Sequence, residues 1–341
     1  MDERKLKAAF EAIRREVHPF IAVANIEWYS LFKDEIRNSI AIEGIFANRK
    51  ELLDVLERNK RTSDQKMAAI LGYFESAGSL YDYANNLYNE QEFQLRIADI
   101  RQIHTLLMRY ESQLGTFQGT VGRFRRENVE VADAGFRPLD AAYIPEMMGG
   151  FVQWINAQMA DPQHNPLRLA AASHVLFETI HPFKDGNGRV GRILLNFLLI
   201  GEGYANIAIK GVQKNDRERY YEALAIGDDG FDRMLRMVEV GLQPTPDLID
   251  DHAQQSDLAA MEEIIVTQLE TSLTRLKKHG PAAFNQDDLV PLRQAAQFSN
   301  YSQDYLRNLI NLGKLPAQKR GKRWYLRIRD LSDYMQRQSS V

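Results

Sequence analysis

The chain has 341 residues, of which 44% are hydrophobic and 26% charged, and its formal net charge is −3. This composition is typical of a soluble globular protein and long enough for one large domain or several smaller ones. It contains no cysteine, which excludes disulfides, thiolate metal sites and a cysteine nucleophile. No apolar run approaches the roughly 20 residues that span a bilayer, and the charged start of the chain leads directly into an amphipathic pattern. We therefore predict a cytoplasmic protein that does not enter the membrane.

Most of the sequence predicts helices. Apolar residues recur three and four positions apart in long stretches, for example at Ile97, Ile100, Ile103, Leu106 and Leu107. Residues 121–136 interrupt this pattern with short β-type alternation and turn residues, which predicts a small hairpin or an extended flap. Residues 165–180 open with asparagine and proline and predict a helix. After a glycine-rich loop, residues 190–199 predict an almost wholly apolar helix at the centre of the core.

The C-terminal third has a different composition. Residues 244–257 combine prolines with a polar run and predict a linker, and a helix follows until Gly280 and Pro281 stop it. Beyond it, short helices accompany a basic hairpin around residues 319–323. We therefore predict four regions, namely an N-terminal helical region (1–92), a central domain (93–243), a linker with a connecting helix (244–280) and a small C-terminal domain (281–341).

The most informative segment is residues 181–192, which reads HPFKDGNGRVGR. His181 has a reference pKa near 6.5, so it is largely neutral at cellular pH and can act as a general base. Asp185 can bind Mg²⁺ through one oxygen while substrate phosphates supply others. Phe183 is apolar and is expected to anchor the loop to the core.

The glycines and arginines of this segment predict an anion site. Gly186 and Gly188 let the backbone approach phosphate at the start of a helix, and Asn187 can donate its side-chain amide to a phosphate oxygen. Arg189 and Arg192 lie three residues apart, so both can face the same anion. Chemistry on a nucleotide polyphosphate needs this combination of groups.

Two other interpretations of the segment fail on context. Residues 186–191 also match the dinucleotide pattern G-x-G-x-x-G, but a helix rather than a strand precedes them, and the following helix is too apolar for a surface crossover. His174 lies two helical turns before His181, but no third zinc ligand of suitable spacing follows. His174 is therefore predicted to be a packed helix residue.

The segment matches the HPFx[DE]GNGRxxR signature of Fic proteins at every defined position, and the chain resembles that family over roughly residues 97–242. The resemblance implies that His181 deprotonates a Ser, Thr or Tyr hydroxyl of a target protein, whose oxygen attacks the α-phosphorus of ATP and retains AMP. It implies Mg²⁺ on Asp185. It implies nucleotide binding by Gly186, Asn187, Gly188, Arg189, Val190, Gly191, Arg192, Tyr220, Tyr221 and Asp228. The implied fold class is mainly α, with a Fic helical core, a short β-hairpin flap and a small C-terminal winged-helix domain.

Two further segments are similar to regulatory and target-binding parts of Fic proteins. Residues 129–134 resemble the flap that holds a target chain by strand addition. The target-binding positions would be Val131, Ala132, Asp133 and Ala134. Ser39 to Gly44 fits the inhibitory motif [ST]xxxE[GN], in which Ser39 and Glu43 share one helix face and Gly44 can end the helix. The resemblance implies that Glu43 pairs with Arg189 and inhibits the enzyme, while assistance of Glu43 in de-AMPylation stays open.

The tail resembles a winged helix-turn-helix of the MerR/excisionase type. From residue 282 onward it has ten Lys and Arg against five acidic residues. The resemblance would place Gln303, Asp304 and Arg307 near base edges, and Arg320 and Lys322 near phosphates. DNA binding through residues 281–341 and use of the same fold for protein contact or homodimerisation are both left open.

We predict a protein adenylyltransferase that uses ATP and Mg²⁺ to modify protein hydroxyls, its own included. One alternative is a nucleotide-sensing DNA-binding regulator, which the intact His181 disfavours because a sensor needs no general base. Another is a Fic enzyme with a different nucleotide donor, since Tyr220 and Tyr221 can stack on any base. A lysine directly after the asparagine marks the phosphate-transferring branch of the family, and this chain lacks it.

Overall fold

The structure is a computed structural model that describes residues 3–17, 19–23, 25–57, 64–130, 137–278, 289–292, 295–296, 299, 301–321 and 323–339. Before residue 279 the described elements are helical. They are α1 (Glu3–Glu16), α2 (Ile26–Ile42), α3 (Arg49–Leu56), α4 (Gln65–Glu90), α5 (Ile97–Gln113), a 3₁₀ turn (Ala141–Tyr143), α6 (Ile144–Ala160), α7 (Pro166–Ile180), α8 (Asn187–Gly201), α9 (Lys214–Gly227), α10 (Asp229–Glu239), α11 (Pro246–Gln255) and α12 (Ala259–Lys278). Within these described ranges, no helix has both the length and the apolar character needed to cross a membrane.

Helix α8 lies at the centre of the main hydrophobic core, as predicted. Every residue from Arg189 to Gly201 is buried, because a helix that is apolar around its whole circumference needs neighbours on all sides. Helices α4, α5 and α7 supply most of those neighbours. Helix α7 also begins as predicted, because the Asn165 side chain accepts hydrogen bonds from the N–H groups of Leu167 and Arg168 at 3.0 and 2.9 Å.

Helix α2 is buried along most of its length. Its apolar side chains, including Phe32, Ile36 and Ile40, are inaccessible to solvent. It also buries the carboxylate of Glu35, which accepts hydrogen bonds from the hydroxyls of Tyr73 (2.7 Å) and Tyr81 (2.5 Å) and from the side-chain amide of Asn206 (2.7 Å). Burial raises the pKa of Glu35 to about 7, even though these donors favour its charged form. The helix is therefore an integral part of the core.

The prediction of a linker at residues 244–257 is wrong. Helix α11 occupies most of it, and the Thr245 side chain caps that helix by accepting from the Leu248 N–H at 3.3 Å. Ile249 and Ala253 are buried against α6, where a Cβ on Gly150 would lie 1.9 Å from the Pro244 carbonyl oxygen. The polar residues of this segment form the outer face of an amphipathic helix, which composition alone does not distinguish from a linker.

The predicted flap is described only in part. Residues 121–130 contain no strand, so the expected β-alternation there does not produce a hairpin within that range. Val131, Ala132, Asp133 and Ala134 lie outside the described residues. Their target-binding role stays a prediction.

The C-terminal region has its own hydrophobic cluster, with members between Val290 and Tyr334. Its elements are β1 (Leu289–Pro291), α13 (Gln303–Asn311), β2 (Gln318–Arg320), β3 (Arg323–Arg327) and α14 (Ile328–Ser339). The three strands form an antiparallel sheet in the order β1-β3-β2. The basic hairpin is confirmed, and the Ser302 hydroxyl caps α13 by accepting from the Tyr305 N–H at 3.0 Å.

Two glycines of α4 provide a matched test of the packing between α4 and α5. A Cβ on Gly72 would lie 2.0 Å from the carbonyl oxygen of Leu107, whereas a Cβ on Gly78 would meet only the Phe32 ring at 3.7 Å. We expect Gly72→Ala to lower the free energy of unfolding by about 1–3 kcal/mol through overpacking. Gly78→Ala should raise it by about 0.5–1 kcal/mol through helix propensity. Urea denaturation of both variants checks this, and equal effects of the two would contradict the close contact.

Candidate active site

The candidate site lies at the turn between the packed helices α7 and α8. His181 caps α7 with a φ of +54°, a left-handed conformation that costs an L residue about 1–2 kcal/mol. Gly186 has a φ of +78° at the start of α8, and a Cβ there would lie 2.8 Å from the sulfur of Met108. These two left-handed residues let the chain reverse direction between α7 and α8, which pack against each other.

The ring of His181 has a defined orientation. Its Nδ1 lies 3.2 Å from the carbonyl oxygen of Glu178, and because a carbonyl can only accept, the proton sits on Nδ1. The lone pair on Nε2 is therefore available to accept a proton. Burial lowers the pKa of His181 to about 4, so the ring is neutral at pH 7, as a general base must be.

Hydrogen bonds between its own residues stabilise the loop after His181. The Phe183 N–H donates to the Asn187 side-chain oxygen at 2.8 Å, and the Asn187 side-chain nitrogen donates to the Phe183 carbonyl at 2.9 Å. One N–H of the Asn187 amide is therefore used by the loop, and donation of its second N–H to phosphate stays a prediction. Phe183 anchors the loop as expected, stacked on His104 with ring centroids 4.0 Å apart.

Asp185 is exposed at the turn, where it can reach solvent and a bound ligand. Its Oδ1 accepts from the Gly186 N–H at 2.5 Å. Across the described ranges, no three His, Cys, Asp or Glu residues form a group that could hold a metal ion by themselves. A single exposed carboxylate beside a helix N-terminus does fit Mg²⁺, which is usually bound by one or two carboxylates together with substrate phosphates and water.

Arg189 is directed toward α5. Its guanidinium forms an ion pair with Glu111, and both side chains are only 4% exposed. Its Nη2 also lies 3.4 Å from the second carboxylate oxygen of Glu111 and 3.6 Å from the sulfur of Met108. The arginine predicted to meet a nucleotide is thus fixed by a buried carboxylate from another helix.

Arg192 faces α2 instead. Its Nε donates to the Ser39 hydroxyl at 2.7 Å, and its Nη2 donates to the Ser39 carbonyl at 3.1 Å and to the Glu43 carboxylate at 2.5 Å. Burial alone would raise the pKa of Glu43, but the Arg192 and Arg189 guanidinium groups hold it below its usual range. The predicted pair between Glu43 and Arg189 is therefore wrong. Arg192, one helical turn further along α8, takes that place because Glu111 already occupies Arg189.

The end of α2 places Glu43 at this arginine. Glu43 caps the helix, Gly44 follows with a φ of +76°, and the Ile45 N–H donates to the Ile40 carbonyl at 3.0 Å. This is the glycine-ended helix terminus predicted from the sequence. A Cβ on Gly188 would lie 2.6 Å from the Glu43 carboxylate, so the absence of a side chain there lets the acid approach α8.

The two tyrosines predicted to line the adenine pocket have different environments. Tyr220 is 1% exposed, and its hydroxyl lies 2.9 Å from His174 Nε2 and 3.5 Å from Arg192 Nη1. The prediction that Tyr220 stacks on a base is therefore wrong, because neither face of its ring is accessible. His174 is the packed helix residue that we expected. Tyr221 is 49% exposed, and its hydroxyl donates to the Ile42 carbonyl at 3.1 Å.

The other residues predicted to contact the nucleotide, Val190, Gly191 and Asp228, lie in three different environments. Val190 is fully buried, and its N–H donates to the Gly186 carbonyl at 2.9 Å. Neither its side chain nor its backbone N–H is therefore free to contact a nucleotide. Gly191 packs against α7, since a Cβ there would lie 2.1 Å from a carboxylate oxygen of Glu178. Asp228 lies half-buried where α9 ends and α10 begins, and burial raises its pKa to about 6. Its adenine contact stays a prediction.

Sequence reasoning missed three residues that hold the site together, namely His104, Glu111 and Arg125. The Gly122 N–H donates to His104 Nδ1 at 2.8 Å, so the protonated Nε2 donates to the Asp185 carbonyl at 3.2 Å. His104 and Glu111 are polar residues seven positions apart on the buried face of α5. A polar pair at helical spacing on an apolar stripe was the available signal for both. Nothing in the sequence marked Arg125.

A buried acid behind the site makes stability pH-dependent. Burial raises the pKa of Glu178 to about 8, so the folded protein keeps this group protonated while the unfolded chain ionises it near pH 4.5. Its contribution to stability is therefore full below pH 4.5 and is lost as the pH rises to about 8. We expect Glu178→Gln to match the wild type at pH 4.5 and to be more stable at pH 8 by up to about 5 kcal/mol. Urea denaturation at both pH values checks this, and a difference independent of pH would contradict it.

Comparison with known proteins identifies two matching family models. The Fic/DOC family model matches residues 94–199, and a helix-turn-helix domain model matches residues 292–339. A crystal structure of a Fic domain containing signaling protein from Bacteroides thetaiotaomicron shares the fold, with a TM-score of 0.58 and 21% identity over 82% of this chain and 98% of that one.

Curated relatives agree with these matches. A probable protein adenylyltransferase of Aquifex aeolicus is 28% identical over 88% of this chain and 86% of that protein. The protein adenylyltransferase Fic of Culex quinquefasciatus is 32% identical over 57% of this chain. The chain spans only 37% of the length of that insect relative.

Proposed function

Because the chain belongs to the Fic/DOC family and carries a helix-turn-helix domain after its Fic domain, we propose that it is a protein adenylyltransferase that moves AMP from ATP to a Ser, Thr or Tyr hydroxyl of a target protein. The observation that carries the proposal is the geometry of His181. Its Nδ1 is occupied by the Glu178 carbonyl, which leaves the neutral Nε2 to accept a proton, and the glycine-rich N-terminus of α8 follows six residues later in the chain.

The reaction follows from that geometry. His181 Nε2 accepts the proton of the target hydroxyl as its oxygen attacks the α-phosphorus of ATP. The new bond joins this oxygen to the α-phosphorus, and the bond from that phosphorus to the bridging oxygen of the β-phosphate breaks. Pyrophosphate leaves and AMP stays on the target. The Glu178 carbonyl stabilises the imidazolium that forms, because it already accepts from Nδ1.

The start of α8 supplies the phosphate site. The N–H groups of Asn187, Gly188 and Arg189 belong to its first turn, which has no intrahelical acceptors and carries the positive end of the helix dipole. Mg²⁺ held by Asp185 would neutralise phosphate charge and help to orient the triphosphate. The buried Arg189 adds positive charge beneath this turn, and Arg192 can reach the outer phosphates once Glu43 leaves it.

We propose that Glu43 is an inhibitory residue acting within its own chain. It occupies Arg192 through a charge-assisted hydrogen bond of 2.5 Å, and Ser39 holds the other side of the same guanidinium. A carboxylate there competes directly with the phosphate oxygens that need this arginine. A further role of Glu43 in removing AMP from targets stays a prediction.

DNA is the proposed partner of residues 281–341. Lys322, which the resemblance places near phosphates, lies outside the described residues. The β2–β3 hairpin forms the basic wing of this domain, and it exposes Lys319, Arg320 and Arg323, which suits phosphate contacts. In α13, however, Arg307 pairs with Asp304 at 2.6 Å, so base recognition by this arginine requires that pair to open. A mobility shift that weakens with added salt would support DNA binding. No shift at low salt would favour protein contact through this domain.

The test of the proposed activity is transfer of label from ATP carrying a radioactive α-phosphate. We expect weak labelling of protein by the wild type, strong labelling by Glu43→Gly, and none by Glu43→Gly combined with His181→Ala. ATP with the label on the γ-phosphate is the matched control and should label nothing. Efficient labelling by the His181→Ala double variant, or label transferred from the γ-phosphate, would contradict the proposal.

A further inference from the structure

Arg125 is a buried cation that binds only carbonyl groups among the described residues. It is 6% exposed. Its Nε donates to the His181 carbonyl at 2.8 Å, and its Nη1 donates to the Glu127 carbonyl at 3.0 Å. Its Nη2 donates to the carbonyls of Leu139 and Ile180. One guanidinium thus bonds four backbone oxygens from three separate segments.

The position of this guanidinium has an electrostatic reason. The carbonyls of Ile180 and His181 are at the C-terminus of α7, where the helix leaves its last oxygens without intrahelical donors and carries partial negative charge. A cation there is stabilised without a bonded carboxylate. Burial lowers the pKa of Arg125, but a guanidinium remains charged throughout the physiological range.

The contacts of Arg125 connect the base to both segments beside the target-binding positions. Its own N–H donates to the Pro182 carbonyl at 2.9 Å, so it bonds the peptide units on both sides of the His181–Pro182 junction. Glu127 and Leu139 stand before and after residues 131–136 in the chain. The guanidinium therefore joins the backbone of His181 to the two described ends of that region.

We propose that Arg125 is the positioning residue for the general base: it fixes the backbone of His181, and through it the direction of Nε2, relative to the segments at Glu127 and Leu139. The proposal rests on the proposed AMP transfer. Lysine cannot replace this residue, because its ammonium presents three donors from one point, whereas the planar fork presents five donors in different directions.

The experiment compares Arg125→Lys and Arg125→Gln with the neighbouring, exposed Arg126→Lys and Arg126→Gln, all in the Glu43→Gly background. We expect both Arg125 variants to lower kcat for AMP transfer by about 100-fold, the cost of a small misplacement of a reacting group. The KM for ATP should stay within about twofold, because the phosphate site is intact. The Arg126 variants should retain the kinetics of the parent.

A second readout does not depend on turnover. In ¹⁵N-histidine spectra the parent should show His181 as a fixed Nδ1–H tautomer, assigned by its loss in His181→Ala, and the Arg125 variants should show an averaged signal. If the spectra show this difference but the parent transfers no AMP, the proposed function is contradicted and the positioning role of Arg125 is still supported. An unchanged His181 signal with kcat close to the parent would overturn the proposal. Loss of ATP binding in both Arg125 variants would also overturn it, because Arg125 would then serve the whole fold.

Discussion

Replacing Glu111 by alanine should lower the free energy of unfolding by about 3–5 kcal/mol, because the guanidinium of Arg189 would stay buried without its carboxylate. Both side chains are only 4% exposed, so water cannot replace the lost partner without opening the core between α5 and α8. Guanidinium chloride denaturation of the wild type and of Glu111→Ala measures this loss directly.

Two controls separate burial from charge. The pair between Arg219 and Glu263 is 3.0 Å long and exposed on both sides, so Glu263→Ala should cost about 1 kcal/mol or less. Replacing both Glu111 and Arg189 by methionine should recover most of the stability, because no charge is then left unpaired in the core. If Glu111→Ala cost no more than Glu263→Ala, the inference that Arg189 depends on a buried partner would be wrong.

Removing the carboxylate of Glu43 should raise the affinity for ATP by about 10- to 150-fold. The range corresponds to the 1.5–3 kcal/mol of a hydrogen bond to a charged group, converted at 1.4 kcal/mol per factor of ten. Glu43→Gln keeps the size of the side chain and removes its charge, so the gain reports on competition for Arg192. Titration calorimetry with ATP and a divalent cation measures it.

Asp34→Asn is the matched control for that gain. Asp34 lies on the same helix and pairs with Lys210 and Arg275 at 3.1 and 3.0 Å, away from Arg192, so its loss should leave ATP affinity unchanged. AMP lacks the outer phosphates, and its affinity should not respond to Glu43→Gln. Equal ATP affinities for the wild type, Glu43→Gln and Asp34→Asn would show that Glu43 does not compete with the nucleotide.

The sequence predicted local features better than distant partners. The cap at Asn165, the apolar helix α8, the glycine that ends α2 and the basic wing all depend on neighbours within a few residues, and all are present. The choice between Arg189 and Arg192 as the partner of Glu43 was wrong. It depends on Glu111, which is 78 residues from Arg189, and no local pattern contains that information.

The missed and misassigned residues share a second cause. Arg125 and His104 act on backbone carbonyls, which every residue has, so the sequence contains no partner type to recognise. The resemblance to Fic proteins assigned both Tyr220 and Tyr221 to the nucleotide, but only one of these two helix neighbours faces the core, and that one is Tyr220. Their positions in the sequence of the helix did not show which of the two tyrosines faces the core and which faces solvent.

The burial of α2 limits how the proposed inhibition could be relieved. Phe32, Ile36 and Ile40 belong to the core, and Glu35 is bound beneath Tyr73 and Tyr81, so proteolytic removal of the first 45 residues would unfold the enzyme rather than activate it. Inhibitor and catalyst are synthesised and degraded together in a one-to-one ratio. An activating signal therefore has to displace the single side chain of Glu43 and leave its helix in place.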